Sequence, residues 1–326
     1  MIISASRRTD IPAFYADWFM TRVREGFFYR VNPFNSKQVT AFSLKPEHVD
    51  AICFWTKNPQ PLLKYLQELD QRGLKYLFQF TLNPYDSIFE PQVPPLRERI
   101  DTMCELAQLI GPERIIWRYD PVILSSVTPV SWHLEQVESL AGQLKNATRR
   151  LMFSFYDFYG RGEGRLSKIL KGSGIVLEDI AAPEHADALQ QLVQGFKASA
   201  ARNKLEIFSC CEDLNPSDAD TAHGACIDGP LIQRLFGVNA PFAKDRNQRK
   251  ACRCVESVDM GAYNSCSYRC SYCYANFNEG TIEANIRKHR SDSPSLLNEY
   301  SDTFDIRTTL HQQGRILPKC QQPLFL

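Results

Sequence analysis

Short runs of β-branched and aromatic residues alternate along the chain with amphipathic helical stretches, and this alternation restricts the fold more than any other feature. Strands are predicted at 2–6, 51–56, 76–82, 114–119, 151–156 and 205–209, with a seventh at 257–263, and helices at 13–25, 60–72, 96–110, 131–146 and 184–203. Strand and helix at this spacing predict parallel strands joined by crossovers, and six or seven such units predict an α/β fold, a full or partial (β/α) barrel. Residues 1–209 supply the barrel core and a cysteine-rich region, 210–280, completes it. From about Glu279 the periodicity weakens and polar residues dominate, so 281–326 reads as a polar, partly ordered C-terminal tail.

Chemistry in parallel barrels sits at the C-terminal ends of the strands. Reading off the residues just after each strand gives a polar set: Arg7, Arg8, Thr9 and Asp10, then Lys57 and Asn58, Asn83, Asp120, Asp157, Cys210 and Glu212. Pro12, Pro59, Pro84 and Pro121 punctuate the same strand-to-loop turns.

Charge and hydropathy narrow the setting. With 38 Lys+Arg against 37 Asp+Glu among 326 residues, no global field draws the chain to nucleic acid or an anionic membrane, so any polyanion contact has to be local. No run approaches the ~18 apolar residues of a membrane span. The N-terminal MIISASRRTD also lacks the basic-then-apolar order of a signal peptide, and a cytoplasmic protein without membrane contact is expected. In a reducing compartment the 11 cysteines are then unpaired, which directs them to metal binding or catalysis.

Their distribution is uneven. Cys53 and Cys104 lie in apolar runs and read as small buried hydrophobes, and Cys320 reads as an exposed bystander in the tail. Eight others crowd between Cys210 and Cys273 among Gly, Asp, Asn, Arg and Ser. The segment NSCSYRCSYCYAN spaces Cys266, Cys270 and Cys273 as C-x3-C-x2-C. Three thiolates hold three irons of a cubane cluster and leave the fourth open to a ligand, whereas a closed 4Fe-4S site takes four cysteines.

That loop, with Tyr272 before its last cysteine and Tyr274 and Ala275 after it, resembles the cluster loop of the radical S-adenosylmethionine (SAM) superfamily, and CSYCYAN is most similar to the subset containing spore photoproduct lyase. The segments SASRRTDIPAFY, FWTKNP, FQFTLNPYDSIFEP, WRYDPVI, SFYDFYGRG, CIDG and KDRNQRKACRCVESVDMGAYNSC resemble the DUF1848 family over roughly residues 1–280. The resemblance implies a radical SAM enzyme in which a 4Fe-4S cluster on Cys266, Cys270 and Cys273 binds SAM and cleaves it reductively to a 5′-deoxyadenosyl radical that acts on a substrate the sequence does not name. In the superfamily the loop follows the first strand, but here it lies near the C-terminus, which implies a circular permutation with 257–263 as the family's first strand and 2–6 as its second. Thr9-Asp10 and Thr56-Lys57 then follow the loop in the order of the lyase-like relatives. The usual Gly-Gly-Glu stretch is absent. Thr9, Asp10 and Lys57 are candidates for the amino-acid end of SAM, Arg118 for its carboxylate, and Tyr272 for the adenine neighbourhood.

Cys252, Cys254, Cys226 and Cys210 or Cys211 remain, the number that closes a second 4Fe-4S cluster or a tetrahedral zinc site. The family pattern favours an auxiliary cluster and, through Cys-x-Glu, Cys210 with Glu212; His223 is an alternate ligand. A one-electron donor such as flavodoxin or ferredoxin is implied. Nucleic acid is a candidate substrate, through the lyase-like loop and the basic cluster Arg246, Arg249, Lys250 and Arg253. Gln321, Leu324 and Phe325 resemble a sliding-clamp peptide, although an amphipathic anchor packed on the barrel fits the same residues. Two rival readings stand: a zinc- or iron-sulfur-stapled binding module without radical chemistry, and a barrel hydrolase using Asp120 and Asp157.

Overall fold

A computed structural model of the chain describes residues 1–32, 35–158, 161–210, 222–297, 300 and 305–308. Its strands are β1 Ile2–Ala5, β2 Phe27–Asn32, β3 Asn35–Ser43, β4 Ala51–Thr56, β5 Tyr76–Thr81, β6 Ile115–Val122, β7 Arg150–Phe155, β8 Glu206–Cys210, β9 His223–Gly224, β10 Val258–Asp259 and β11 Asp305–Thr308. Eight of them form one sheet in the order β10-β1-β4-β5-β6-β7-β8-β9. Each pair in it is parallel, and β10 returns beside β1 with Ile3 opposite Val258 and Ser4 opposite Asp259. Among the described residues no ladder joins β9 to β10. A large parallel sheet with crossover helices is compatible with a partial (β/α) barrel; closure into a full one is not seen.

Period-two alternation gives the sheet two buried faces. Ile3, Ile52, Phe54, Phe78, Trp117 and Phe153 point to the core shared with the helices. Ile2, Ala51, Cys53, Leu77, Ile116 and Met152 point to a second core, beneath the helix Gly229–Phe236. Cys53 is therefore the buried hydrophobe expected of it. Further along the strands the second face turns polar, with Trp55, Arg118, Asp120 and Ser154 lining a cavity.

The helix Leu96–Ile110 falls where predicted, and Val130–Leu144 and Ala186–Arg202 within two residues of it. The helices expected at 13–25 and 60–72 are each divided, into Ile11–Phe14 and Ala16–Glu25 and into Gln60–Leu63 and Leu66–Gln71. Asp10 starts the first by accepting the Ala13 N–H at 3.1 Å. A small second sheet, absent from the sequence reading, pairs β2 antiparallel with β3 and β3 parallel with β11.

The expectation of a partly ordered tail from Glu279 is corrected over its first part. Asn278 caps a helix at Glu279–Lys288 by accepting the Thr281 N–H, and Ser293, Ser295, Leu296 and Leu297 beyond it are buried. The polar sequence hid this because the stretch packs through few apolar side chains, and Trp18 Nε1 reaches its backbone at Ser293 O, 2.8 Å away. Gln321, Leu324, Phe325 and Cys320 lie outside the described residues, as do Cys211 and Glu212. No helix among the described residues is long and apolar enough to cross a membrane.

Candidate functional site

The two cysteine groups line one cavity of about 650 Å³ at the C-terminal ends of the strands. One wall is the loop after β10. Asn264 and Arg269 there take positive φ values of 53° and 55°, which let the loop reverse tightly; Asn tolerates this conformation better than most residues. Asn276 Oδ1 accepts from the N–H groups of Ser265 (3.1 Å) and Cys266 (3.4 Å), and Asn264 Oδ1 from that of Phe277 (2.8 Å). The Tyr15 hydroxyl donates to Ser265 O at 2.6 Å, and Ser271 donates to Ile88 O, also at 2.6 Å. The loop is thereby fixed to the β1 and β5 loops as well as to itself.

On this loop Cys270 is buried and Cys266 and Cys273 are half-buried. Burial pushes the Cys266 thiol up to about 12, with Asp10 and Cys273 adding to the shift. Burial likewise raises Cys273 and lifts Cys270 well above the ordinary thiol range, while Lys57 acts in the opposite direction on both. Three thiols so placed become thiolates only against an added positive charge, which a bound metal supplies.

The second group is a chain of sulfurs. Cys210 Sγ lies 2.7 Å from Cys226 Sγ, Cys254 neighbours both Cys226 and Cys252, and all four are buried. Hydrogen bonds from Cys226 and Cys252 hold the Cys254 thiol below its ordinary range, with Arg7 adding to the effect. This donor set is all soft sulfur, which suits iron-sulfur or zinc chemistry. Among the described residues no three His, Cys, Asp or Glu side chains stand as a ready metal-ligand set. The fit is therefore one of donor chemistry and common cavity.

The other candidate residues sort by their partners. Thr9 Oγ1 donates to Ala262 O at 2.9 Å and accepts from the Ala262 N–H at 3.1 Å, so it joins the β1 loop to the cysteine loop. Asp10 accepts the Lys57 N–H at 2.7 Å, and burial pushes its carboxyl up to about 7. Lys57 Nζ donates to Glu90 Oε1 at 2.7 Å and to the Tyr272 hydroxyl at 2.9 Å, and Tyr272 donates in turn to Glu90. Arg118 does not stand with these: its guanidinium binds Asp120 and donates to Cys226 Sγ at 2.8 Å, beside the second sulfur group. It lines the same cavity as the three-cysteine loop, with its guanidinium directed at Asp120 and Cys226.

Of the remaining strand-end set, Arg7, Arg8, Asp120, Asp157 and Cys210 line the cavity. Asn83 instead joins β5 to β6, donating to Asp120 O at 2.8 Å and accepting the Asp120 N–H at 3.0 Å. Asn58 receives the Gln60 N–H at the start of its helix. The basic cluster is dispersed: Arg249 pairs with Asp157 at the cavity, while Arg253 reaches His223 O on β9. The sequence reading missed Glu90, Arg99 and Trp55. Trp55, two residues before Lys57 on the inward face of β4, was within reach of the period-two pattern. Glu90 and Arg99, on a loop and a helix, carried no local signal.

The family described as "Domain of unknown function (DUF1848)" matches residues 2–275, a span that takes in both cysteine groups. No curated protein matches the chain.

Proposed function

The chain belongs to the DUF1848 family, and from that premise we propose that it is a radical SAM enzyme with a second, auxiliary iron-sulfur centre. The observation that carries this reading is the convergence of Cys266, Cys270 and Cys273 with Cys210, Cys226, Cys252 and Cys254 on one cavity at the strands' C-terminal ends. Cys266, Cys270 and Cys273 would hold the SAM-binding cluster, and the other four a closed one. When bound, the cluster and SAM supply one-electron chemistry that ends in a 5′-deoxyadenosyl radical.

The chain's own contribution is to hold and to shield. Lys57 offsets negative charge at Cys270 and Cys273. Its ion pair with Glu90 and the Tyr272 phenol fix the residue next to Cys273. The radical reacts with almost any C–H bond, so the cavity walls would have to shield it from competing groups. β10 lying parallel beside β1 supports the circular permutation, because a cyclic strand order keeps its neighbours wherever the chain is cut. The electron would come from a carrier such as flavodoxin or ferredoxin.

The test is anaerobic purification with iron reconstitution. The enzyme reading requires iron and sulfide in the protein, thiolate-to-iron absorbance, and 5′-deoxyadenosine formed from SAM after reduction. A colourless protein with stoichiometric zinc, or iron-loaded protein that leaves SAM intact, would defeat it.

A further inference from the structure

The cavity's cations are almost all matched. Arg8, Lys57, Arg118, Arg249 and Arg269 each have a carboxylate within 4.0 Å: Asp259, Glu90, Asp120, Asp157 and Glu279 respectively. Arg7 lines the same cavity, and its guanidinium forms no ion pair with a carboxylate among the described residues; Asp259 meets only its backbone N–H. Its Nη2 is fully enclosed and without a hydrogen-bond partner there. The Trp55 indole Nε1 is also enclosed and unpartnered, and the Arg7 guanidinium sits over the Trp55 ring, 5.4 Å from its centroid. Arg118 lies 5.0 Å from the same centroid.

Both orphaned groups are donors only, so an ammonium ligand leaves them unsatisfied, a thiol sulfur accepts only weakly, and an anionic oxygen satisfies both. A guanidinium fork beside a single N–H matches the oxygens of a carboxylate or a phosphate. The site lies on the wall shared by the sulfur groups: Arg7 lines the cavity with Cys226, Cys254 and Cys273, and its carbonyl accepts the hydroxyl of Tyr274, the residue after Cys273, at 2.9 Å.

We propose that Arg7 and Trp55 form a subsite for an anionic group of the substrate, a carboxylate or a phosphate, held on the wall that the two cysteine groups share. That the anion belongs to a substrate rests on the radical SAM reading, whereas the anion site is measurable without it.

Calorimetric titration of the iron-reconstituted protein with acetate and, separately, inorganic phosphate tests the site without SAM. Wild type is expected to bind at least one of them at one equivalent, and which one it prefers identifies the anion. Arg7→Gln should weaken binding at least tenfold, and Trp55→Phe, which keeps the ring and loses the N–H, about threefold. Failure of wild type to bind either anion overturns the proposal. So does unchanged affinity in Arg7→Gln that melts like wild type. If Arg7→Gln does not fold, Arg7→Lys keeps the charge without the fork: weakening of threefold or more supports the subsite, and unchanged binding overturns it. Anion binding in protein that leaves SAM intact defeats the enzyme reading and spares the site; SAM cleavage without anion binding does the reverse.

Discussion

The Ser6 hydroxyl donates to Asp259 Oδ1 at 2.6 Å, joining the end of β1 to β10 across 253 positions of sequence. The same carboxylate accepts from Ser4 Oγ at 3.1 Å and from the N–H groups of Arg7 (3.0 Å) and Gly261 (2.9 Å). It thus holds the seam at which the cysteine loop returns to the first strand. Asp259→Ala leaves these donors enclosed without an acceptor and should cost about 3–5 kcal/mol in denaturant unfolding. Gly261→Ala is expected to destabilise as well, since a Cβ there would come within 2.0 Å of Ser6 Oγ. Wild-type midpoints in both variants would remove the seam from the factors that hold the site.

Glu90 is the common anion of a buried group, with Lys57 Nζ at 2.7 Å and Arg99 Nη1 at 3.5 Å. Both cations are largely enclosed, so removing their partner strands two charges. Glu90→Ala should cost about 3–5 kcal/mol. Tyr272→Phe removes one hydroxyl from the group and should cost about 1 kcal/mol. Thermal or urea unfolding of the two variants checks the order, and a Tyr272→Phe loss equal to that of Glu90→Ala would contradict the assignment of Glu90 as the hub.

His133 gives the fold an acid limit. Its ring is buried, with Nδ1 2.8 Å from the Tyr119 hydroxyl and Nε2 2.9 Å from Ile123 O, and the rings of Tyr85 and Trp132 against it. Burial lowers its pKa from 6.5 to about 4. The folded state prefers the neutral ring, so its stabilisation is complete above pH 6.5 and is lost as pH falls through 4. The loss is about 3 kcal/mol from this group. Stability measured between pH 7 and 4 should fall less steeply in His133→Gln than in wild type; parallel curves would show that His133 does not set the limit.

The large sheet was legible because its strands carry dense apolar runs, and burial on both faces is what produces such runs in a parallel sheet. Helix Leu96–Ile110 was legible from its 3.6-residue periodicity. The β2–β3 pair was not, because Asn35, Ser36 and Lys37 begin β3 exposed, and the apolar alternation appears only from Val39 onward. Helix Gly229–Phe236 had its signals in place, Asp228 accepting the Leu231 N–H and Gly237 closing it at φ +61°, but eight residues give little periodicity to read. The cysteines of the site were conspicuous as chemistry. Their sharing of one cavity was not, since it depends on how β8, β9 and β10 are brought round the sheet.

That shared cavity makes the independence of the two sulfur groups an experimental question. Cys266, Cys270 and Cys273 sit on one short loop anchored by Asn264 and Asn276, whereas Cys210, Cys226, Cys252 and Cys254 come from β8 and the segments that follow it. Separate anchoring means that either set can be removed while the other keeps its backbone. Replacing the three loop cysteines by Ala should therefore abolish SAM cleavage and leave roughly half of the reconstituted iron, if each set holds one four-iron cluster. Replacing the other four should leave roughly the complementary half, and SAM cleavage by the loop cluster should survive at least in part. Iron analysis with electron paramagnetic resonance of the reduced variants distinguishes the outcomes: loss of all iron from either variant would mean that the two sets build a single centre.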